Sequence, residues 1–135
     1  MLFMKRRNED INLLNYIEIV QKKCKNGEKI TKLNPVERVI YLISEFEAEV
    51  NNGGFDQYFI NSSGKYASET IECLKKIEAF HTAGLLKEAI ETIATAKSEE
   101  DLAEIEGKLD KLDDRFYKYE DNLSELQVKY IKGNI

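Results

Sequence analysis

Asn34-Pro35-Val36-Glu37 opens the stretch that most narrows what this chain can become. An asparagine ahead of a proline at the first helical position, with a carboxylate at the third, serves the backbone groups that a helix N-terminus leaves unpaired. Val36, Val39, Ile40, Ile43, Phe46 and Val50 then recur at the three- and four-residue steps of one helix face. A helix with such a stripe must bury it. No segment shows the two-residue alternation of a half-buried strand, so the partners are other helices. The expected fold is all-α: a compact single-domain bundle of about six helices over residues 1–135, with a short helix after a Gly-Gly junction.

The rest of the chain extends the pattern. Asn8-Glu9-Asp10 reads as a helix start, continued by Ile11, Leu14, Ile17, Ile19 and Val20. Residues 25–33, rich in Lys, Asn and Gly, form a loop. Tyr66, Ala67, Thr70, Ile71, Leu74, Ile77 and Phe80 predict another helix, and a break at His81 to Gly84 precedes one through Leu85, Leu86, Ala89, Ile90 and Ile93. Ser98-Glu99-Glu100-Asp101 has capping-box spacing, followed by Leu102, Ile105, Leu109, Leu112, Phe116 and Tyr119 on one face. Asn122 to Glu125 repeats the spacing ahead of Leu126 and Tyr130.

Between two helical patterns lies NNGGFDQYFINSSG, Asn51 to Gly64. Asn-Gly favours hairpins, but neither flank supplies a strand. The segment instead suits a helix junction. Gly53 is expected in the left-handed conformation that ends a helix, and Gly54 lets the backbone turn closely. Phe55, Tyr58 and Phe59 then share one face of a short helix, while Gln57 and Asn61 share another.

Charge is distributed unevenly. The net charge is −5, yet residues 1–38 carry nine Lys/Arg against five Asp/Glu, and residues 99–135 carry six against eleven. An acidic C-terminal part opposes direct nucleic-acid binding, which depends on neutralising phosphates, and suits a basic protein partner. Cys24 and Cys73 are too few and too far apart for a disulfide framework or a metal motif. No apolar run approaches the length of a membrane span, and the Met1-Leu2-Phe3-Met4 run precedes its basic residues, the reverse of a secretory signal. A cytoplasmic protein, monomeric or homodimeric, without cofactor or metal, is the expectation.

The run from Glu47 through Asn51, Asn52, Gly53, Gly54, Phe55, Gln57, Tyr58, Phe59, Asn61 and Ser62 to Gly64 resembles the signature of the bacterial DNA-mimic protein family, long catalogued as a domain of unknown function. The resemblance continues through Tyr66-Ala67, Glu69-Thr70-Ile71 and Leu112-Asp113-Asp114-Arg115-Phe116-Tyr117, covering roughly residues 36–131. It implies a compact helical domain and a non-enzymatic activity. An acidic surface would imitate the phosphates of duplex DNA and occupy a helix-turn-helix transcription regulator. The signature residues look like the part that builds the fold; the mimicking carboxylates lie outside the motif.

A carboxylate array can be sought by geometry. With about 100° per residue from Glu99, the carboxylates Glu99, Glu106, Asp110, Asp113 and Asp114 fall on one stripe, clear of the apolar face. Steps of roughly 4.5 to 6 Å along it are comparable to phosphate spacing. Lys108, Lys111, Arg115 and Lys118 form an adjacent stripe that would blunt the field by pairing with it. The alternative is a small-ligand or purely structural domain with a polar pocket of Glu47, Asn51, Gln57 and Asn61. Catalysis is not expected. The single histidine, His81, permits no pair of Glu-x-x-His motifs, and Glu45 and Glu49 share a helix face without a nucleophile or phosphate loop beside them.

Overall fold

The computed structural model describes residues 11–61 and 63–135. The expected helix start at Asn8 and the signature residue Ser62 lie outside the described residues. Six α-helices are present among those described: α1 Leu13–Lys23, α2 Pro35–Ile60, α3 Ala67–Lys76, α4 Phe80–Ala94, α5 Leu102–Phe116 and α6 Leu123–Gly133. Short 3-10 turns at Ile30–Lys32, Ser63–Tyr66 and Glu99–Asp101 join some of them, and the described residues contain no strand. The all-α bundle is as expected.

Helix α2 organises the rest. Its start is the predicted capping box: Glu37 N donates to Asn34 Oδ1 at 2.8 Å, and Asn34 N donates to Glu37 Oε1 at 2.9 Å. Val39, Ile40, Ile43, Phe46 and Val50 are buried, and α1, α3 and α5 pack around the helix. Arg38 grips Glu69 of α3 through two hydrogen bonds of 2.6 and 2.9 Å. Lys23 at the end of α1 reaches the capping carboxylate Glu37 at 2.7 Å. The face that the sequence marks as apolar is thus held on both sides by charged groups at its rim.

Midway, α2 kinks. Gly53 has φ −156°, and Gly54 has φ +78° with ψ −178°. The left-handed glycine is therefore Gly54, not Gly53, and its extended ψ interrupts the helical backbone and swings the second arm of α2 round. Only glycine enters that region without a steric penalty. The turn lets Phe46 on the first arm and Phe55 and Tyr58 on the second face the same interior. Phe46 lies 5.9 Å from Phe55, 5.1 Å from Tyr58 and 5.6 Å from Phe116 of α5, ring centre to ring centre. Each such buried aromatic contributes roughly 2 to 3 kcal/mol by removal from water. This cluster is what the kink serves.

Three boundary expectations need correction. The break foreseen at His81 to Gly84 falls earlier, at Ile77–Ala79, and α4 runs through Gly84 with open space around it. Glu78 takes the left-handed position, φ +67°, with Ala79 N donating to Leu74 O at 2.8 Å in a helix-ending turn that usually carries glycine. With no glycine to mark it, local reading misses the stop. Phe80 consequently begins α4 and is exposed rather than ending a buried stripe. Ser98 makes no side-chain cap bond; Lys97 N donates to Asp101 Oδ2 instead. In α1, Leu14 and Ile19 are exposed and Val20 is the residue in the core, because the bundle takes only one narrow edge of that helix. Asn122 does cap α6, accepting from Glu125 N at 3.1 Å. Cys24 and Cys73 are buried and free.

Candidate functional site

Helix α5 buries Ile105, Leu109, Leu112 and Phe116 between α2 and α4. Its opposite side carries Glu106, Asp110 and Asp114, all exposed, and none of the three makes an ion pair among the described residues. Two of the four neighbouring cations are engaged elsewhere. Lys108 lies 3.4 Å from Glu104, one turn back, and Arg115 reaches across to Glu88 of α4 at 2.9 Å. The basic stripe that sequence geometry places beside the carboxylates thus directs these two charges away from Glu106, Asp110 and Asp114. Glu99 is exposed but sits in the 3-10 turn before α5, so its position is not set by the register of that helix.

Asp113 has a different task. Its Oδ1 accepts from Phe55 N at 2.8 Å, the first donor after the kink in α2. A helix arm that starts afresh leaves such N–H groups without an internal partner. The capping residue comes from a helix far along the chain. Burial raises the Asp113 carboxyl above its ordinary pKa, the Phe55 bond opposes that, and Asp110, Asp114 and Asp56 add to the rise. Those neighbours define a patch: Asp56, one residue past the capped donor, stands with the α5 carboxylates. Sequence reading omits Asp56, since only the contact of Asp113 with Phe55 brings it there.

The same end of α5 also repairs the other side of the kink. Tyr117 donates its hydroxyl to Val50 O at 2.9 Å, an acceptor that the interrupted helix leaves exposed. Tyr119 donates to Glu47 Oε2 and accepts from Asn51 Nδ2, both at 2.7 Å. Burial raises the Glu47 pKa, with the Tyr119 bond opposing. Further along, Asp121 Oδ2 accepts from Thr82 N at 2.7 Å and from its hydroxyl at 2.8 Å, near the start of α4. Two carboxylates of the acidic C-terminal part are therefore bound to backbone donors of other helices rather than displayed.

The four residues expected to form one polar pocket separate into two networks. Glu47 and Asn51 meet at Tyr119, whereas Gln57 and Asn61 both donate to Glu49 Oε2 at 3.0 Å. Residues two apart on a helix face away from each other, and Glu47 and Glu49 are two apart. The signature glycines are held by packing. A Cβ on Gly53 would strike the Gln57 side chain, and one on Gly54 would strike the Asp113 carboxylate. At Gly64 it would come within 3.0 Å of Phe59. Phe55 and Tyr58 are fully buried, Phe59 packs against the core, and Asn52 is exposed.

Among the described residues no group of His, Cys, Asp and Glu is arranged to hold a metal ion, and no helix is long and apolar enough to cross a membrane. The family model described as DMP19-like protein matches residues 31–134. No curated protein and no solved structure matches the chain.

Proposed function

The chain belongs to the DMP19-like protein family, a family of DNA mimics and not a known enzyme family, and we propose that it acts in the cytoplasm as a non-enzymatic DNA mimic. The carboxylates of α5, with Asp56 beside them, occupy the DNA-binding surface of a basic helix-turn-helix regulator. The observation that carries this reading is the exposed, unpaired row of Glu106, Asp110 and Asp114 beside Asp56. Successive turns of a helix repeat a charge about every 6 Å, close enough to a phosphate strand for the same lysines and arginines to engage it. Glu99 extends the acidic surface beyond the N-terminus of α5.

The test is recovery of a partner from native lysate on immobilised protein at low and high salt, followed by competition with operator duplex. A basic regulator should be retained at low salt, released at high salt and displaced by DNA. The combined substitutions Asp56→Asn, Glu106→Gln, Asp110→Asn and Asp114→Asn should abolish retention while leaving the circular dichroism and melting behaviour intact. Undiminished affinity in that variant would exclude the row from the interface.

A further inference from the structure

Residues 117–122 form a strap between α5 and α6 that is fastened on two sides. Toward α2, Tyr117 donates to Val50 O, and Tyr119 bonds both Glu47 and Asn51. Toward α4, Asp121 accepts from the backbone and the hydroxyl of Thr82. Tyr119 has φ +48°, a left-handed backbone that a bulky side chain disfavours. The strap is therefore kept closed by its fastenings and not by its own backbone preference.

One fastening differs from the others. His81 Nε2 is shielded from solvent and makes no hydrogen bond, although Glu120 Oε2 stands 3.0 Å away. The distance is that of a hydrogen bond and the direction is not. A neutral imidazole leaves a buried nitrogen unsatisfied in this position, an uncommon arrangement in a folded protein. An imidazolium instead places a positive charge against the carboxylate, and that attraction needs no particular direction. Imidazole is also the side chain whose charge ordinarily changes between about pH 5 and 8.

The surrounding charges leave Glu120 for this role. The strap itself carries Lys118, Glu120 and Asp121, and Asp121 is committed to Thr82. Glu78, in the turn before α4, lies 3.7 Å from Lys129 of α6. Lys75 of α3 lies 3.4 Å from Glu72 on its own helix. Among the described residues, the ion-pair partner of Glu120 is His81.

We propose that His81 and Glu120 form a pH-sensitive clasp on this strap. Protonation of His81 draws Glu120 in and holds residues 117–122 against α4; deprotonation releases that hold while the bonds of Tyr117, Tyr119 and Asp121 remain. The clasp is separate from the α5 carboxylates and does not rest on the DNA-mimic reading.

Hydrogen exchange of the Thr82, Lys118 and Tyr119 amides reads opening of the strap, because Thr82 N donates to Asp121 and the other two donate to the last turn of α5. Protection is compared at about pH 5.5 and about pH 7.5, on either side of the ordinary imidazole transition, after correction for the intrinsic exchange rate. On acidification it should rise roughly two- to fivefold more in the parent than in Glu120→Gln, the range for an ion pair with partly exposed members. Glu45, Glu47 and Asp113 are present in both proteins, so the comparison removes their share of any pH response. The Glu120 side chain is mostly exposed, and its replacement leaves the packed core intact. His81→Gln should respond to pH as Glu120→Gln does. An equal response in the parent and in Glu120→Gln, or a parent that gains less protection than the variant, would overturn the clasp.

Discussion

Asp113 caps Phe55 across 58 residues of chain, its Oδ1 accepting the Phe55 N–H at 2.8 Å just beyond a glycine whose φ is +78°. One contact thereby joins the kink of α2 to the last turn of α5. It explains why a glycine pair is needed: the Asp113 carboxylate occupies the space that a side chain at residue 54 would fill. It also separates Asp113, which builds the fold, from Glu106, Asp110 and Asp114, which face solvent.

Asp113→Ala should therefore lower stability by about 1 to 2 kcal/mol, the cost of an unsatisfied helix-start donor. Gly54→Ala should cost more, because strained backbone and a collision act together. Urea denaturation measures both. An Asp113→Ala protein as stable as the parent would show that water replaces the cap at no cost.

Truncating the solvent-facing carboxylates should behave oppositely. Glu106→Gln, Asp110→Asn and Asp114→Asn should each leave the unfolding free energy within about 0.5 kcal/mol, since no bond is lost. A larger loss in thermal melts would reveal structural contacts for that residue.

Tyr117→Phe and Tyr119→Phe should each cost about 1 kcal/mol. They differ in pH response. Without Tyr119, Glu47 loses the bond that opposes its burial, so its pKa climbs further. Carbon-13 NMR titration of the Glu47 carboxyl should show the rise in Tyr119→Phe and little change in Tyr117→Phe.

Stability should have its maximum in mildly acid solution. Glu45, Glu47 and Asp113 have raised pKa values, each first through burial. A raised carboxyl binds its proton more tightly when folded, so its contribution is complete below the unfolded value near 4 and is lost as pH rises through the folded value. Glu69 has a lowered pKa, through its bond to Arg38. Its contribution is present above the unfolded value and is lost as pH falls through the folded one. Melting temperature should thus rise on mild acidification from neutral pH and fall only in stronger acid. A monotonic fall from neutral pH would show that the three raised groups carry no weight.

Much of this fold is legible in one dimension because helix physics is local. The Asn34 capping box, the Asn122 cap and the apolar stripe of α2 depend on neighbours three or four residues away, and all are found where the spacing places them. The stop at Glu78 is missed, since tertiary packing imposes a left-handed turn on a residue that does not advertise one.

The site is less legible for a related reason. Helical geometry alone puts Asp113 on the acidic stripe, and only the packed bundle turns it toward Phe55. The place of Asp56 near Asp113 is likewise a product of assembly, not spacing. The sequence by itself determined the helices, their buried faces and a surplus of C-terminal charge. The tertiary structure decided which carboxylates cap helices and which face solvent. Periodicity records the environment one turn away, whereas the partner of a charge is set by whichever distant backbone donor or cation the folded chain brings within about 3 Å.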